Sequence, residues 1–325
     1  MSPSNRLKIL LLPVPRIFVP WCQDLVDALA DRHDLCVYDA DRSIAEQFHG
    51  VAVVIDHGGH VGTHEMMDAA TAARLWQIMS IGYEHVDLDY LKSRGLKVAN
   101  VPGTTSAISL AQTALMFILM LAHRARECER NFHAGLWLEP MGCELEGVTL
   151  GIVGLGNSGQ QLARLGTTLG MRVIAVNRSP IDKDRIERLG VSTVGSLDQL
   201  DALIAESDFI SLHLTLTEQT RKIIDGRRIG LMKRTGRLIN TARGGLVDEP
   251  ALYKALIAEK IGGAGLDVFA TEPADPSHPV FALRNVVVTP HIGAFTDGSS
   301  RRRAAFIAEN VDRIALGLEP LHVVC

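Results

Sequence analysis

The sequence predicts an α/β protein with two doubly wound parallel sheets, and three observations lead there. Short apolar runs alternate with helix-patterned segments along the chain. A glycine turn, Gly154-Leu155-Gly156-Asn157-Ser158-Gly159, stands between one such run and one such helix. The first hundred residues show the same alternation without any turn of that kind, so two different sheets are expected.

Taken in order, residues 8–12, 35–38, 51–55, 76–80 and 97–99 read as strands, and 22–30, 44–48, 64–71 and 88–93 as helices. Val101-Pro102-Gly103 is a break, after which Thr104 to Ser106 offer caps for a long helix reaching about Glu129. Ile108, Leu115, Ile118, Leu119 and Ala122 give that helix an apolar face. Residues 131–147 are irregular, with Trp137 and Met141 available to pack on something. A strand at 148–153 enters the glycine turn, a helix at 160–169 is closed by Gly170, and a strand at 171–176 ends in Asn177-Arg178-Ser179. Further strands are expected at 209–214, 237–241, 264–269 and 286–289. Before the third of these, Asp248 caps a helix with Pro250 in its first turn and Gly262 past its end. A final helix at 296–316 is stopped by Gly317 and Pro320. The expected architecture is a Rossmann domain, 102–292, inserted in a flavodoxin-like domain of 1–101 and 293–325.

Composition narrows the function. At 325 residues there is room for two sizeable cores, and 47% hydrophobic against 22% charged residues argues a compact globular protein. A net charge of −4 gives no bulk attraction to nucleic acid or anionic lipid. Five cysteines without close pairing fit a reducing compartment. The apolar run at 7–12 is short and interrupted by Pro13 and Pro15, and 114–122 is too short to span a bilayer. The expectation is a soluble, cytoplasmic protein with no targeting segment.

The glycine turn has the strand, turn, helix, strand order of a dinucleotide site. Its glycines serve a tight turn, close approach of backbone to pyrophosphate, and close helix–strand packing. Backbone N–H groups from Leu155 to Gly159 are expected to face the phosphates. Where an NAD site usually places a carboxylate on the ribose, this chain has Asn177, followed by Arg178 and Ser179. Without the carboxylate a 2′-phosphate meets no repulsion, and Arg178 offers it paired donors, so NADP(H) is favoured with NAD(H) as the alternative.

Three later segments sit at expected strand ends: Asn240-Thr241-Ala242-Arg243-Gly244-Gly245, Gly265-Leu266-Asp267 through Glu272-Pro273, and Thr289-Pro290-His291-Ile292-Gly293. With the glycine turn, Ser80-Ile81-Gly82 through Asp87, Ser211-Leu212-His213 through Thr217, and Gly317 to Pro320, they resemble the D-isomer-specific 2-hydroxyacid dehydrogenase family over nearly the whole chain. The resemblance implies Arg243 as the clamp on a substrate carboxylate and adjacent carbonyl, and His291 as general acid/base. It makes Glu272 the carboxylate paired with His291. It also implies cofactor contacts from Thr113, the glycine turn, Asn177 to Ser179, His213, Thr215, Thr241, Ala242, Asp267, His291 and Gly293. Backbone N–H groups of Ile81 and Gly82 match the family's carboxylate cradle.

Gln112 stands where the family often has Glu, and Thr215 where it often has Pro. Neither change removes the clamp or the proton donor. His57, His60 and His64 look metal-like but lack structural-zinc spacing, and no metal is implied. His57 and His60 are expected to line a cleft, and Arg301 to Arg303 to form a solvated face or dimer contact. The resemblance implies closure over NADP(H) and a small 2-keto or 2-hydroxy acid, with glyoxylate and hydroxypyruvate as expected substrates. No C-terminal regulatory extension is expected, unlike the long phosphoglycerate dehydrogenases. A homodimer through the long helix and the Trp137 arm is expected. The reading from another class is a cofactor-sensing corepressor of the same family, against which the charge and the lack of an interaction tail argue.

Overall fold

Residues 6–14, 19, 21–57, 62–84 and 86–325 are described by the computed structural model. The chain falls into two units: one runs up to Thr105 and resumes at Phe295–Cys325, and the other is Ser106–Ala294.

In the first unit, β1 (Lys8–Leu12), β2 (Asp34–Val37), β3 (Val53–Asp56), β4 (Leu75–Ile78) and β5 (Lys97–Ala99) form a parallel sheet in the order β2-β1-β3-β4-β5. β3 and β4 are buried along their whole length. Sheets covered on both faces give near-continuous apolar strands rather than alternating ones, as seen here. Ile9, Leu11, Val53 and Ile55 pack with Leu25 and Leu29 of helix Trp21–Leu29 and with Ile307 and Val311 of helix Asp297–Ala315. Leu10, Val54, Trp76 and Ile78 face the other way, toward Phe48, Met66 and Leu91. The last helix therefore completes the core of the unit that the chain left at Thr105.

The second unit holds seven parallel strands: β6 (Thr149–Val153), β7 (Arg172–Val176), β8 (Thr193–Gly195), β9 (Phe209–Leu212), β10 (Arg237–Asn240), β11 (Gly263–Leu266) and β12 (Val286–Val288). Their order is β12-β11-β10-β9-β6-β7-β8. The chain steps outward from β6 to β8, then returns to place β9 on the other side of β6. Strand order reverses there, and such switch points open a crevice at the carboxyl ends of the strands. The glycine turn follows β6 and His213 follows β9. Arg243, Asp267 and His291 follow β10, β11 and β12 at the same edge.

Four expectations need correction. The long helix ends at Ala122, and a second, Ala125–His133, leaves at 52° because Arg124 adopts a left-handed φ of +52°. Its buried face is Ala111, Ala114, Phe117, Ile118 and Leu121, while Ile108 and Leu119 are exposed. A helix apolar on all sides does not mark its inner face by periodicity; here its approach to Gly265 and the glycine-turn helix does. Arg303, expected on a solvated face, is buried with its guanidinium 4.3 Å over the Trp21 ring and bonded to the Met79 carbonyl oxygen. β8 and its flanking helices, Lys183–Leu189 and Leu200–Glu206, are not among the expected elements; β8 is a short edge strand with little apolar signal. The joints fall after Thr105 and Ala294 rather than at 101 and 292. Thr105 accepts a bond from Arg302 of the last helix, whereas Gly293 is tied to Asp267 and Thr113.

Candidate active site

The residues of the glycine turn fit a pyrophosphate. A Cβ on Gly159 would lie 2.2 Å from the Gly154 carbonyl oxygen, so helix Asn157–Thr168 can sit this close to β6 only without one. A Cβ on Gly156 would meet nothing within 4 Å. The protein leaves that space open beside the N–H groups of the helix's first turn, which have no partner among the described residues, as an anion cradle requires.

Leu155 departs from expectation. Its N–H donates to Asn177 Oδ1 at 3.0 Å instead of facing the phosphates. Asn177 Nδ2 donates to the Ser179 carbonyl oxygen at 2.8 Å, so one side chain ties the turn to the end of β7. The donors left for phosphate are the N–H groups from Gly156 to Gly159. Arg178 and Ser179 lie exposed beyond, and among the described residues the Arg178 guanidinium has no ion pair. Sequence reasoning missed Gln160, which donates to the Leu155 carbonyl oxygen and accepts from Arg185 Nε and Nη2 at 3.0 and 2.6 Å. Its near-complete burial, the signal that would have flagged it, is not readable from a polar helix start.

His213 stands between two serines, with Nδ1 2.9 Å from Ser158 Oγ and Nε2 2.9 Å from Ser211 Oγ. Burial pushes its pKa down to about 4, so the ring is neutral. Both nitrogens are engaged within the protein. Thr215 is exposed, its carbonyl held by the Thr220 hydroxyl at 2.8 Å.

At the end of β10, Asn240 Oδ1 accepts the Ala242 N–H and Nδ2 donates to the Arg243 carbonyl oxygen, shaping the turn after Thr241. Arg243 Nη1 donates to the Ala242 carbonyl oxygen at 2.8 Å. Asp267, expected as a cofactor contact, braces the loop that carries His291. Oδ1 accepts the Thr289 hydroxyl and the Ile292 N–H, and Oδ2 accepts the Gly293 N–H. The Thr113 hydroxyl closes the brace on the Gly293 carbonyl oxygen at 3.0 Å.

That bracing holds His291 at a φ of +55°, a region non-glycine residues seldom occupy. Its Nδ1 lies 2.5 Å from Glu272 Oε2, and Glu272 Oε1 accepts the Phe269 N–H at 2.8 Å. The Glu272 hydrogen bond raises the His291 pKa above its ordinary value against partial burial and the Arg243 charge, with the charges of Glu272 and Asp267 assisting. Burial works upward on Glu272, but the bonds from His291 and the Phe269 N–H, with the charges of His291 and Arg243, bring its pKa below the ordinary value. Nδ1 of His291 is thus engaged by Glu272, and Nε2 is the other ring nitrogen.

In the first unit, Ile81 and Gly82 follow β4. The Ile81 carbonyl accepts Asn100 Nδ2 at 2.6 Å and the Gly82 carbonyl accepts the Ser80 hydroxyl at 2.5 Å. Among the described residues their N–H groups have no partner, so both are available to an anion. His57 is buried against Cys22, its pKa pushed down to about 4 by burial and the Arg303 charge, and His64 pairs with Asp87. His60 lies outside the described residues. Among the described residues no cluster of three ligating side chains could hold a metal.

Residues 115–293, over half of the chain, match the family model described as D-isomer specific 2-hydroxyacid dehydrogenase, NAD binding domain. Over 269 residues the chain is 37% identical to a glyoxylate reductase of Korarchaeum cryptofilum, covering 80% of this chain and 78% of that protein. The chain belongs to the D-isomer specific 2-hydroxyacid dehydrogenase family. It is an oxidoreductase of that family, and the glycine turn, Arg243, Glu272 and His291 all lie inside the matched span. A hydroxypyruvate reductase of Thermotoga maritima is 38% identical over 253 residues, covering 77% of this chain and 80% of that one. The crystal structure of D-lactate dehydrogenase from Aquifex aeolicus, complexed with NAD and lactic acid, superposes with a TM-score of 0.79 at 30% identity, covering 97% and 98% of the two chains.

Proposed function

We propose that this dehydrogenase reduces a small 2-keto acid, glyoxylate or hydroxypyruvate, to the D-hydroxy acid with NADPH. The observation that carries the reading is the His291–Glu272 pair, held at 2.5 Å on the strand-end edge that also bears Arg243 and the glycine turn. When bound, the nicotinamide cofactor supplies the hydride. Arg243 holds the substrate carboxylate and the adjacent carbonyl oxygen through its planar fork. His291, whose protonated form Glu272 favours, delivers a proton from Nε2 to the forming alkoxide and takes it back in oxidation. The relatives' names, glyoxylate reductase and hydroxypyruvate reductase, support the choice of substrate.

NADPH preference rests on Asn177 and Arg178. The amide carries no charge to repel a 2′-phosphate, and the Arg178 guanidinium is exposed beside it. Steady-state kinetics over a panel of 2-keto acids should give a higher kcat/KM with NADPH than with NADH. Arg178→Ala should narrow that gap about tenfold, the worth of one charge-assisted contact. Equal or better use of NADH by the unmutated protein would overturn the preference. No turnover of any 2-keto acid would overturn the function.

A further inference from the structure

His213 links a residue of the glycine turn to one of the deepest hydroxyls in the sheet. Ser211 is fully buried on β9, and its Oγ has one hydrogen-bond partner among the described residues, His213 Nε2. Ser158 is half-exposed in the first turn of helix Asn157–Thr168, and its Oγ meets Nδ1 of the same ring. A neutral imidazole has one N–H and one acceptor nitrogen, so only two arrangements of the chain exist.

If Nε2 carried the hydrogen, it would donate to Ser211, and the buried Ser211 hydroxyl hydrogen would have no acceptor. Burying an unpaired donor is costly, and nothing offsets it here. If Nδ1 carries the hydrogen, the Ser211 hydroxyl donates to Nε2 and Nδ1 donates to Ser158 Oγ. The Ser158 oxygen then accepts from inside, and its own hydrogen turns outward. A Cβ on Gly156, the residue that caps this first turn, would meet nothing within 4 Å, so space lies open beside it.

We propose that Ser211, His213 and Ser158 form a directed hydrogen-bond relay that fixes His213 as its Nδ1–H tautomer and presents the Ser158 hydroxyl as a donor to the cofactor pyrophosphate. Ser158 makes the contact; His213 and Ser211 are positioning residues that act through it. A histidine at a phosphate site would ordinarily be taken for a cation facing the anion. Here the ring stays neutral, and its work is to decide which way a serine hydroxyl points. The arrangement rests on the reading that the glycine turn receives a dinucleotide, and it adds a side-chain donor to the backbone N–H groups from Gly156 to Gly159.

Two measurements test it. Nitrogen-15 NMR of the cofactor-free protein, with His213 assigned by comparison with His213→Gln, should show the Nδ1–H tautomer; an Nε2–H tautomer overturns the relay. Fluorescence titration with NADPH should show Ser158→Ala weakening Kd about tenfold, as expected for a hydroxyl donated to a charged acceptor. Ser211→Ala, which touches no cofactor, should weaken it in the same direction by less and add nothing in the Ser158→Ala background. Ser158→Thr, which keeps the hydroxyl, should restore most of the affinity. An unchanged Kd in Ser158→Ala, or full additivity of the two serine variants, overturns the relay while leaving the dehydrogenase reading intact. Absence of binding of both NADPH and NADH by the unmutated protein overturns both.

Discussion

His291 shows how one residue can be set for proton transfer by its surroundings. Its left-handed backbone is tolerable because Asp267 fixes the loop at three points, and its ring is aimed because Glu272 is fastened by the Phe269 N–H. The raised His291 pKa has a signed consequence. In the proposed mechanism reduction needs the imidazolium, so kcat/KM for keto-acid reduction should hold until pH rises through the His291 pKa and then fall, with the opposite dependence for oxidation. Glu272→Gln keeps the shape and a hydrogen bond but removes the charge that stabilises the imidazolium. The falling limb should move to lower pH, with a smaller loss of rate than in His291→Ala. An unmoved limb would mean that Glu272 is not the partner. This pair was legible in the sequence through Glu272-Pro273 and Thr289-Pro290-His291 in their family order. The Ser158–His213–Ser211 chain was not, because its ends lie 55 and 2 residues from the histidine and meet only once β9 pairs with β6.

Among the elements, the glycine turn was readable because its requirements are local: a helix start, an adjacent strand and no room for a Cβ. The long helix was readable as a helix but not in its orientation. Its inner face is selected by small residues on the sheet beneath it, above all Gly265 of β11, where a Cβ would lie 2.6 Å from Phe117. Gly265→Ala should therefore force helix and sheet apart and cost about 1–3 kcal/mol, the usual range for overpacking. For a unit of this size that lowers Tm by roughly 2–10 °C. Thermal unfolding by circular dichroism checks it, and an unchanged Tm would mean that the helix has slack at this contact. Asn177 illustrates a different limit. The sequence shows that a carboxylate is missing, but only the structure shows the amide closing on the Leu155 N–H.

At the scale of the whole molecule, the inserted-domain order was legible because each unit announces its own sheet, and the last helix has an apolar face with no other core to complete. The joints were harder to place, since short turns there bond to whichever side they touch. Among the described residues no single helix is long and apolar enough to cross a membrane. A run of exposed apolar side chains remains, with Ile108, Met116 and Leu119 on the long helix and Phe132, Trp137 and Met141 on the arm beyond it. Patches of this kind mark association surfaces, and the proposal is a homodimer through this face. Light scattering should give twice the chain mass, and Leu119→Lys with Trp137→Ser should give a folded monomer; a monomeric unmutated protein would contradict the dimer.

The central claim is a stereospecific reduction in which this chain aims hydride and proton at one face of a 2-keto acid. It is tested most directly by incubating the protein with hydroxypyruvate and NADPH and resolving the product on a chiral column. The account predicts D-glycerate, formed in equal amount to the NADPH oxidised and lost in Arg243→Ala. Formation of L-glycerate, or NADPH oxidation without glycerate, would contradict it.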